Sequence, residues 1–198
     1  MNLINDYWFF EEALSKKQCN EILKLKEKNK FKEAVVGEKD ELIKKDRTSD
    51  IFWTSEPFIY EYIRPYVHTA NQNAGWNFDY DYAEAAQFTE YGKGGYFNWH
   101  RDAFSKPWNQ PEYPNVHGKI RKLSVTVTLS EPNNYEGGDL EFAFLHPKKE
   151  KKEIVTQEQF RKKGSIIVFP SFVWHRITPI TKGVRNSLVV WFVGQPYR

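Results

Sequence analysis

Ile120-Arg121-Lys122-Leu123-Ser124-Val125-Thr126-Val127-Thr128-Leu129 alternates apolar and polar side chains from Leu123 to its end. Leu123, Val125, Val127 and Leu129 fall on one face; Ser124, Thr126 and Thr128 fall on the other. A period of two is the pattern of a strand with two unlike faces. Downstream, Asn133-Asn134 and Gly137-Gly138 mark a turn, and Leu140–Leu145 reads as the next strand. Gly164–Pro170 is a short apolar strand. Val184–Val193 is the last, with Arg185, Ser187, Val189 and Trp191 on one face. Upstream, Phe78, Tyr80 and Tyr82 alternate, Ala85–Tyr91 reads as a strand, and Gly92, Gly94 and Gly95 form a turn.

The first third reads differently. Residues 3–10 predict an early strand. Ser15 opens a helix, with Gln18 placed to complete a capping box. Cys19, Ile22, Leu23 and the stem of Lys26 share one face, with Cys19 a buried small apolar residue. Residues 32–50 are charged and weakly patterned, which predicts a loop with one strand. Ser55-Glu56-Pro57 opens a second helix. Phe58, Ile59, Tyr62, Ile63, Tyr66 and Val67 recur at helical spacing, and Pro65 is expected to kink or break it. His68, near its end, reads as a surface residue. Residues 103–119 carry three prolines and no period, a long loop of the kind that forms lids or binding loops. Lys148–Glu153 reads as a solvated charge run. Helices first and about eight strands after them predict a mainly β fold, a barrel or jelly roll with the N-terminal helices packed on one sheet. One domain over residues 1–198 is expected.

Composition sets outer limits. The 198 residues include seven Trp, eleven Tyr and fifteen Phe, a set that suits a β-rich core. A net charge of +3 is too balanced to argue for nucleic-acid binding. The single cysteine, Cys19, excludes an internal disulfide and suits a reducing, cytoplasmic location. The chain has no signal-peptide pattern, no apolar stretch long enough to span a membrane and no internal repeat.

His100-Arg101-Asp102, answered by His175 and then Arg185, carries the chemistry. Two imidazoles and one carboxylate are the ligand set of a non-haem Fe(II) facial triad, which leaves three metal positions open. On an extended segment His100 and Asp102 point to the same side. Zinc is the alternative metal, although the helical His-Glu-x-x-His pattern of many zinc hydrolases is missing. His117 and His146 have no carboxylate at ligand spacing and read as surface residues. Trp99 and Trp174, each beside a ligand, read as packing supports.

Three stretches then resemble a known family. Tyr91-Gly-Lys-Gly-Gly-Tyr-Phe-Asn-Trp-His100-Arg-Asp102 resembles the iron-binding strand of the 2-oxoglutarate/Fe(II)-dependent dioxygenases, most closely their prolyl 4-hydroxylase-like branch. Tyr135-Glu-Gly-Gly-Asp139-Leu-Glu-Phe is similar to that branch's Tyr-x-Gly-Gly-Glu/Asp-Leu signature. Lys163 to Arg185, through Phe-Val-Trp-His175-Arg, resembles its distal strand pair, and Leu14 to Leu23 its first helix. The resemblance implies a double-stranded β-helix with iron between two sheets. It implies that His100, Asp102 and His175 hold the metal. It also implies that Arg185 binds the far carboxylate of 2-oxoglutarate, with Ser187 beside it and Tyr91 as a further co-substrate contact. A tyrosine often found on the strand equivalent to residues 123–129 is absent, and Thr126 and Thr128 stand there instead.

The implied activity is hydroxylation of a substrate C–H bond, with Fe(II), 2-oxoglutarate and O2 as reagents, ascorbate as an optional addition, and succinate and CO2 as products. A prolyl residue in a peptide or protein is the expected substrate. A free amino acid or other small molecule is the alternative, as is a non-catalytic binding or sensor protein on the same fold. The loop at 103–119, with Phe104, Trp108 and Tyr113, is placed to close over a substrate chain. Oligomeric state is left open.

Overall fold

The computed structural model describes residues 3, 5–34, 46–103, 106–144 and 153–197. In chain order the elements begin with β1 (Trp8–Phe10), α1 (Lys16–Leu23), α2 (Leu25–Lys28), β2 (Lys32–Glu33), β3 (Arg47–Thr48), β4 (Asp50–Thr54) and α3 (Pro57–Asn73). There follow β5 (Tyr82–Ala83), β6 (Ala86–Tyr91), β7 (Tyr96–His100), β8 (Ile120–Thr128), β9 (Tyr135–Gly137) and β10 (Leu140–Phe144). The chain ends with β11 (Glu153–Val155), β12 (Ile166–Pro170), β13 (Trp174–Ile177), β14 (Ile180–Gly183) and β15 (Arg185–Gly194).

Two sheets face each other. The larger has the order β1-β12-β8-β15-β6-β4-β2, with β5 also paired to β15; the smaller has the order β11-β10-β13-β7-β3. The pairings are antiparallel throughout. The alternation of residues 123–129 is used on both sides of the larger sheet. Leu123, Val125, Val127 and Leu129 join Ile59, Ile63 and Val67 of α3 and Cys19 and Ile22 of α1 in one core cluster. The helices therefore cover the outer face of the larger sheet, as the pattern predicts. The opposite face, with Ser124, Thr126 and Thr128, turns toward the smaller sheet. A second cluster, built from Phe142, Phe160, Ile167, Phe169 and Ile177, fills part of the space between the sheets.

α1 starts as its sequence predicts, with Ser15 and Gln18 capping each other's backbone N–H groups. Cys19 is fully buried, and burial pushes its thiol pKa up. Four expectations need correction. The early strand is limited to Trp8–Phe10. α3 runs through Pro65 as one helix. Pro65 is on the exposed face, where water can bond the carbonyl that its missing N–H would have served. Phe78–Tyr82 is not a strand before Tyr82. The backbone of Phe78 is bonded through both its N–H and its C=O to the Asn71 side chain, at 3.0 Å each, and Asn77 has φ +49. Residues 32–50 hold β2, β3 and the start of β4 rather than one strand. The 103–119 loop is confirmed as irregular where described, but Phe104 and His146 lie outside the described residues, as does the charge run except for Glu153 in β11. No described helix is long and apolar enough to cross a membrane.

Candidate active site

The candidate ligands come from the inner face of the smaller sheet. His100 is the last residue of β7, and its Cα partner across the sheet is His175 of β13. The two imidazole centroids are 4.1 Å apart. β7 ends before Asp102, which sits in a bend rather than on the extended segment. The Ala103 N–H to Ser171 C=O bond, 2.8 Å, holds that bend against the larger sheet's β12 end. The carboxylate still reaches both rings. His100 Nε2 is 3.6 Å from Asp102 Oδ1, and His175 Nε2 is 3.6 Å from Asp102 Oδ2. An ion about 2.1 Å from each of two donors spans at most about 4.2 Å between them, and both 3.6 Å separations meet that limit. Among the described residues, this is the group of His, Cys, Asp and Glu side chains that converges closely enough to hold a metal.

Hydrogen bonding fixes which nitrogens face the centre. His100 Nδ1 lies 2.7 Å from the Asn98 carbonyl oxygen, and His175 Nδ1 lies 3.0 Å from that of Val173. A carbonyl only accepts, so each Nδ1 carries the proton and each Nε2 keeps a lone pair for a metal. Burial, then the neighbouring His175, bring the His100 imidazole down to about 3 despite the attraction of Asp102. Burial opposes the Asp102 charge, but His175, His100, Arg121 and the Ser124 hydroxyl outweigh it and hold the carboxyl at about 2. At neutral pH His100 is thus a neutral donor and Asp102 an anionic one, the protonation states that a metal requires.

β15 supplies the opposite wall. Arg185, Ser187, Val189 and Trp191 line the same cavity as the three candidate ligands, as their shared face predicts. Arg185 is 2% exposed and donates to Ser187 Oγ at 3.2 Å. Tyr91 is its cross-strand partner, with the guanidinium carbon 5.7 Å from the ring centroid. No carboxylate pairs with Arg185 among the described residues. A buried, permanently charged guanidinium without a counter-ion calls for an anion from outside. Gly138 gives it room. At φ +67, a Cβ there would stand 2.2 Å from Ile180 Cδ1 and 3.1 Å from Arg185 Cδ. The glycine sits in the Tyr-Glu-Gly-Gly-Asp stretch, which Arg161 ties down through the Tyr135 and Gly137 carbonyls and the Asp139 carboxylate. Thr126 lines the cavity too, whereas Thr128 Oγ1 is spent on the Phe160 carbonyl at 2.7 Å.

Arg47, Gln87, Thr89 and Phe97 were not among the expected site residues. Arg47 is buried and donates to Ser49, Gln87 and Thr89, with its guanidinium carbon 4.6 Å from the Phe97 centroid. Phe97 in turn stacks on His100 at 3.5 Å. The available signal was the spacing Arg47, Ser49, Ile51, Trp53, one face of an extended segment hidden in a charged stretch. The remaining candidates fall outside the site. His117 is exposed and accepts from the Gln110 N–H, and His68 is exposed on α3. Trp99 and Trp174 carry Arg176 and Arg101 over their rings and are absent from the cavity lining.

With this geometry in hand, comparison with known proteins is direct. The family model of the 2OG-Fe(II) oxygenase superfamily matches residues 86–193, more than half of the chain. The chain belongs to the 2OG-Fe(II) oxygenase superfamily. The match starts at β6 and ends within β15, so it encloses the His-Asp-His cluster and Arg185. A PKHD-type hydroxylase of Pseudoalteromonas atlantica is 32% identical over 106 residues, 53% of this chain and 41% of that protein. The matched stretch thus spans about two fifths of the length of such curated relatives. A viral collagen prolyl hydroxylase from Paramecium Bursaria Chlorella virus-1, solved with 2OG, superposes with a TM-score of 0.66 at 20% identity, covering 96% of this chain and 97% of that one. A Trichoplax adhaerens prolyl hydroxylase, solved with a peptide fragment of a hypoxia inducible factor, superposes at 0.64 and 14% identity, covering 96% and 84%. These likenesses establish the double-stranded β-helix fold. The donor set of His100, Asp102 and His175 fits the Fe(II) that the superfamily's description names.

Proposed function

We propose that this oxygenase hydroxylates a prolyl residue of a peptide or protein. The observation that carries the oxygenase chemistry is a His-Asp-His cluster at the smaller sheet facing a buried Arg185 on the larger one, with no carboxylate partner for Arg185 among the described residues. In this reading His100, Asp102 and His175 hold Fe(II). Arg185 and Ser187 hold the far carboxylate of 2-oxoglutarate, and Tyr91 packs against that guanidinium. Bound iron with 2-oxoglutarate and O2 supplies the oxidation of an unactivated C–H bond, with succinate and CO2 as co-products. The protein's own tasks are orientation and exclusion of water. The carbonyls of Asn98 and Val173 keep each imidazole in one tautomer and one orientation. The Arg47–Phe97 stack fixes the His100 ring. Arg185 supplies a planar fork to a carboxylate in a dry environment, where the interaction is strong.

The choice of a prolyl substrate is supported by the names of the relatives and of the solved structures. The test is mass spectrometry for a gain of one oxygen, with Fe(II) and 2-oxoglutarate, across proline-containing peptides, free proline and free lysine. Oxygen added to peptide proline supports the reading. Oxygen added to a free amino acid alone moves the substrate class and leaves the oxygenase intact.

A further inference from the structure

Trp191 carries a buried donor that no described residue accepts. Its Nε1 has no hydrogen-bond partner among the described residues, and the residue is 6% exposed. A buried indole N–H ordinarily has an acceptor, so its absence points to a group from outside. The ring is held firmly. The Arg121 guanidinium carbon is 3.9 Å from its centroid, and Glu84 grips Arg121 by two hydrogen bonds of 2.8 and 2.6 Å. The Trp53 ring packs beside it at 5.8 Å.

Register says which ligand the donor serves. Trp191 is the Cα partner of Ser124, and its side chain lines the cavity that Asp102 and the two imidazoles also line. Arg185 is six residues away on the same face, about 20 Å along a strand that rises about 3.3 Å per residue. A five-carbon diacid is much shorter than that separation, so one anchored at Arg185 leaves Trp191 to another ligand. Beyond Trp191 lies a groove of about 640 Å³ lined by Trp53, Tyr82, Trp108, Tyr113 and Pro114. Trp53 is 48% and Tyr113 60% exposed. Glu84, Gln110 and Glu112 line the groove as well, and its aromatic rings suit an extended chain containing proline, whose backbone carbonyls make no internal hydrogen bonds and await donors.

We propose that Trp191 orients the substrate: its indole N–H donates to a backbone carbonyl of an extended proline-containing chain that enters along the Trp53–Tyr113 groove. This rests on the reading of the cavity as a hydroxylase site. The test uses ¹⁵N-labelled full-length protein loaded with Zn(II) and 2-oxoglutarate, which cannot turn over. The Trp191 indole signal is assigned by its loss in W191F, and a blocked Ala-Pro repeat peptide is titrated in. The signal is expected to move downfield with peptide and to stay in place with 2-oxoglutarate alone. W191F, which keeps an aromatic ring under Arg121, is expected to weaken the peptide about fivefold to tenfold, the loss of one neutral hydrogen bond, with 2-oxoglutarate affinity unchanged. Peptide binding that leaves the indole signal unmoved, or equal peptide affinity in W191F, overturns the donor role and leaves the hydroxylase reading standing. A signal that moves with 2-oxoglutarate alone overturns the assignment to substrate. Binding of 2-oxoglutarate without any peptide binding overturns the peptide as occupant. Failure to bind Zn(II) and 2-oxoglutarate at all removes the underlying reading as well.

Discussion

His175 and Arg185 divide the work of the cavity, and each can be removed alone. His175→Ala takes away one of three converging donors. Metal affinity, followed by Mn(II) binding, should fall by at least an order of magnitude, and 2-oxoglutarate turnover should vanish. Arg185→Met removes the buried fork and keeps the stem. It should raise the KM for 2-oxoglutarate by roughly 10- to 100-fold, the range expected for losing hydrogen bonds to a charged group, with Mn(II) affinity unchanged. The His100 environment predicts a pH effect of defined sign. The folded imidazole is held at about 3, against an ordinary value of 6.5. Below pH 6.5 the unfolded chain takes up a proton that the folded chain refuses, so stability falls as pH drops from 6.5 toward 3. Asp102, held at about 2, contributes stability above its unfolded value of 3.8 and loses it as pH falls through 2. Urea unfolding of the metal-free protein at pH 7 and 4.5 should therefore give a lower midpoint in acid, and His100→Asn should flatten that slope. Equal slopes would remove His100 as the cause.

Among the elements, β15 is the one on which the site is measured out. Its ten residues carry Arg185 at one end and Trp191 toward the other, and the sequence already placed both on one face. β8, β12 and β15 were legible because long alternating or apolar runs have a period to read. β2, β3 and β5 have two residues each, too short to show one. Arg47 went unread for that reason, although it stands in the cavity. Phe78–Tyr82 failed for another: its alternation is real, but the Asn71 side chain claims its backbone bonds. Asp102 lies in a bend rather than on a strand, yet its carboxylate reaches both imidazoles, because a two-residue offset from His100 is short in either conformation. The α1 capping box was read correctly and makes its own prediction. Ser15→Ala should destabilise the protein by about 1 kcal/mol in urea unfolding. Loss of much less would mean that α1 is held chiefly by Cys19 and Ile22 in the core.

At the scale of the whole molecule, the two faces of the larger sheet have separate tasks. Leu123, Val125, Val127 and Leu129 bind it to the helices and make a rigid backing. Ser124 and Thr126, interleaved with them, face the smaller sheet and its His-Asp-His cluster. One alternating strand thus connects stability with chemistry, and rigid backing is what a site with narrow geometric tolerance needs. The family match covers this apparatus and the Trp108–Val116 side of the groove, while Trp53 and Arg47 come from strands before it. In the function proposed above, the cavity couples a His-Asp-His metal site to a dicarboxylate held by Arg185. The most direct measurement is succinate formed from 2-oxoglutarate with Fe(II) and O2, wild type beside His175→Ala and Arg185→Met. The expected result is succinate from wild type, none from His175→Ala, and from Arg185→Met a rate restored only by high 2-oxoglutarate. Succinate from His175→Ala at the wild-type rate would contradict it.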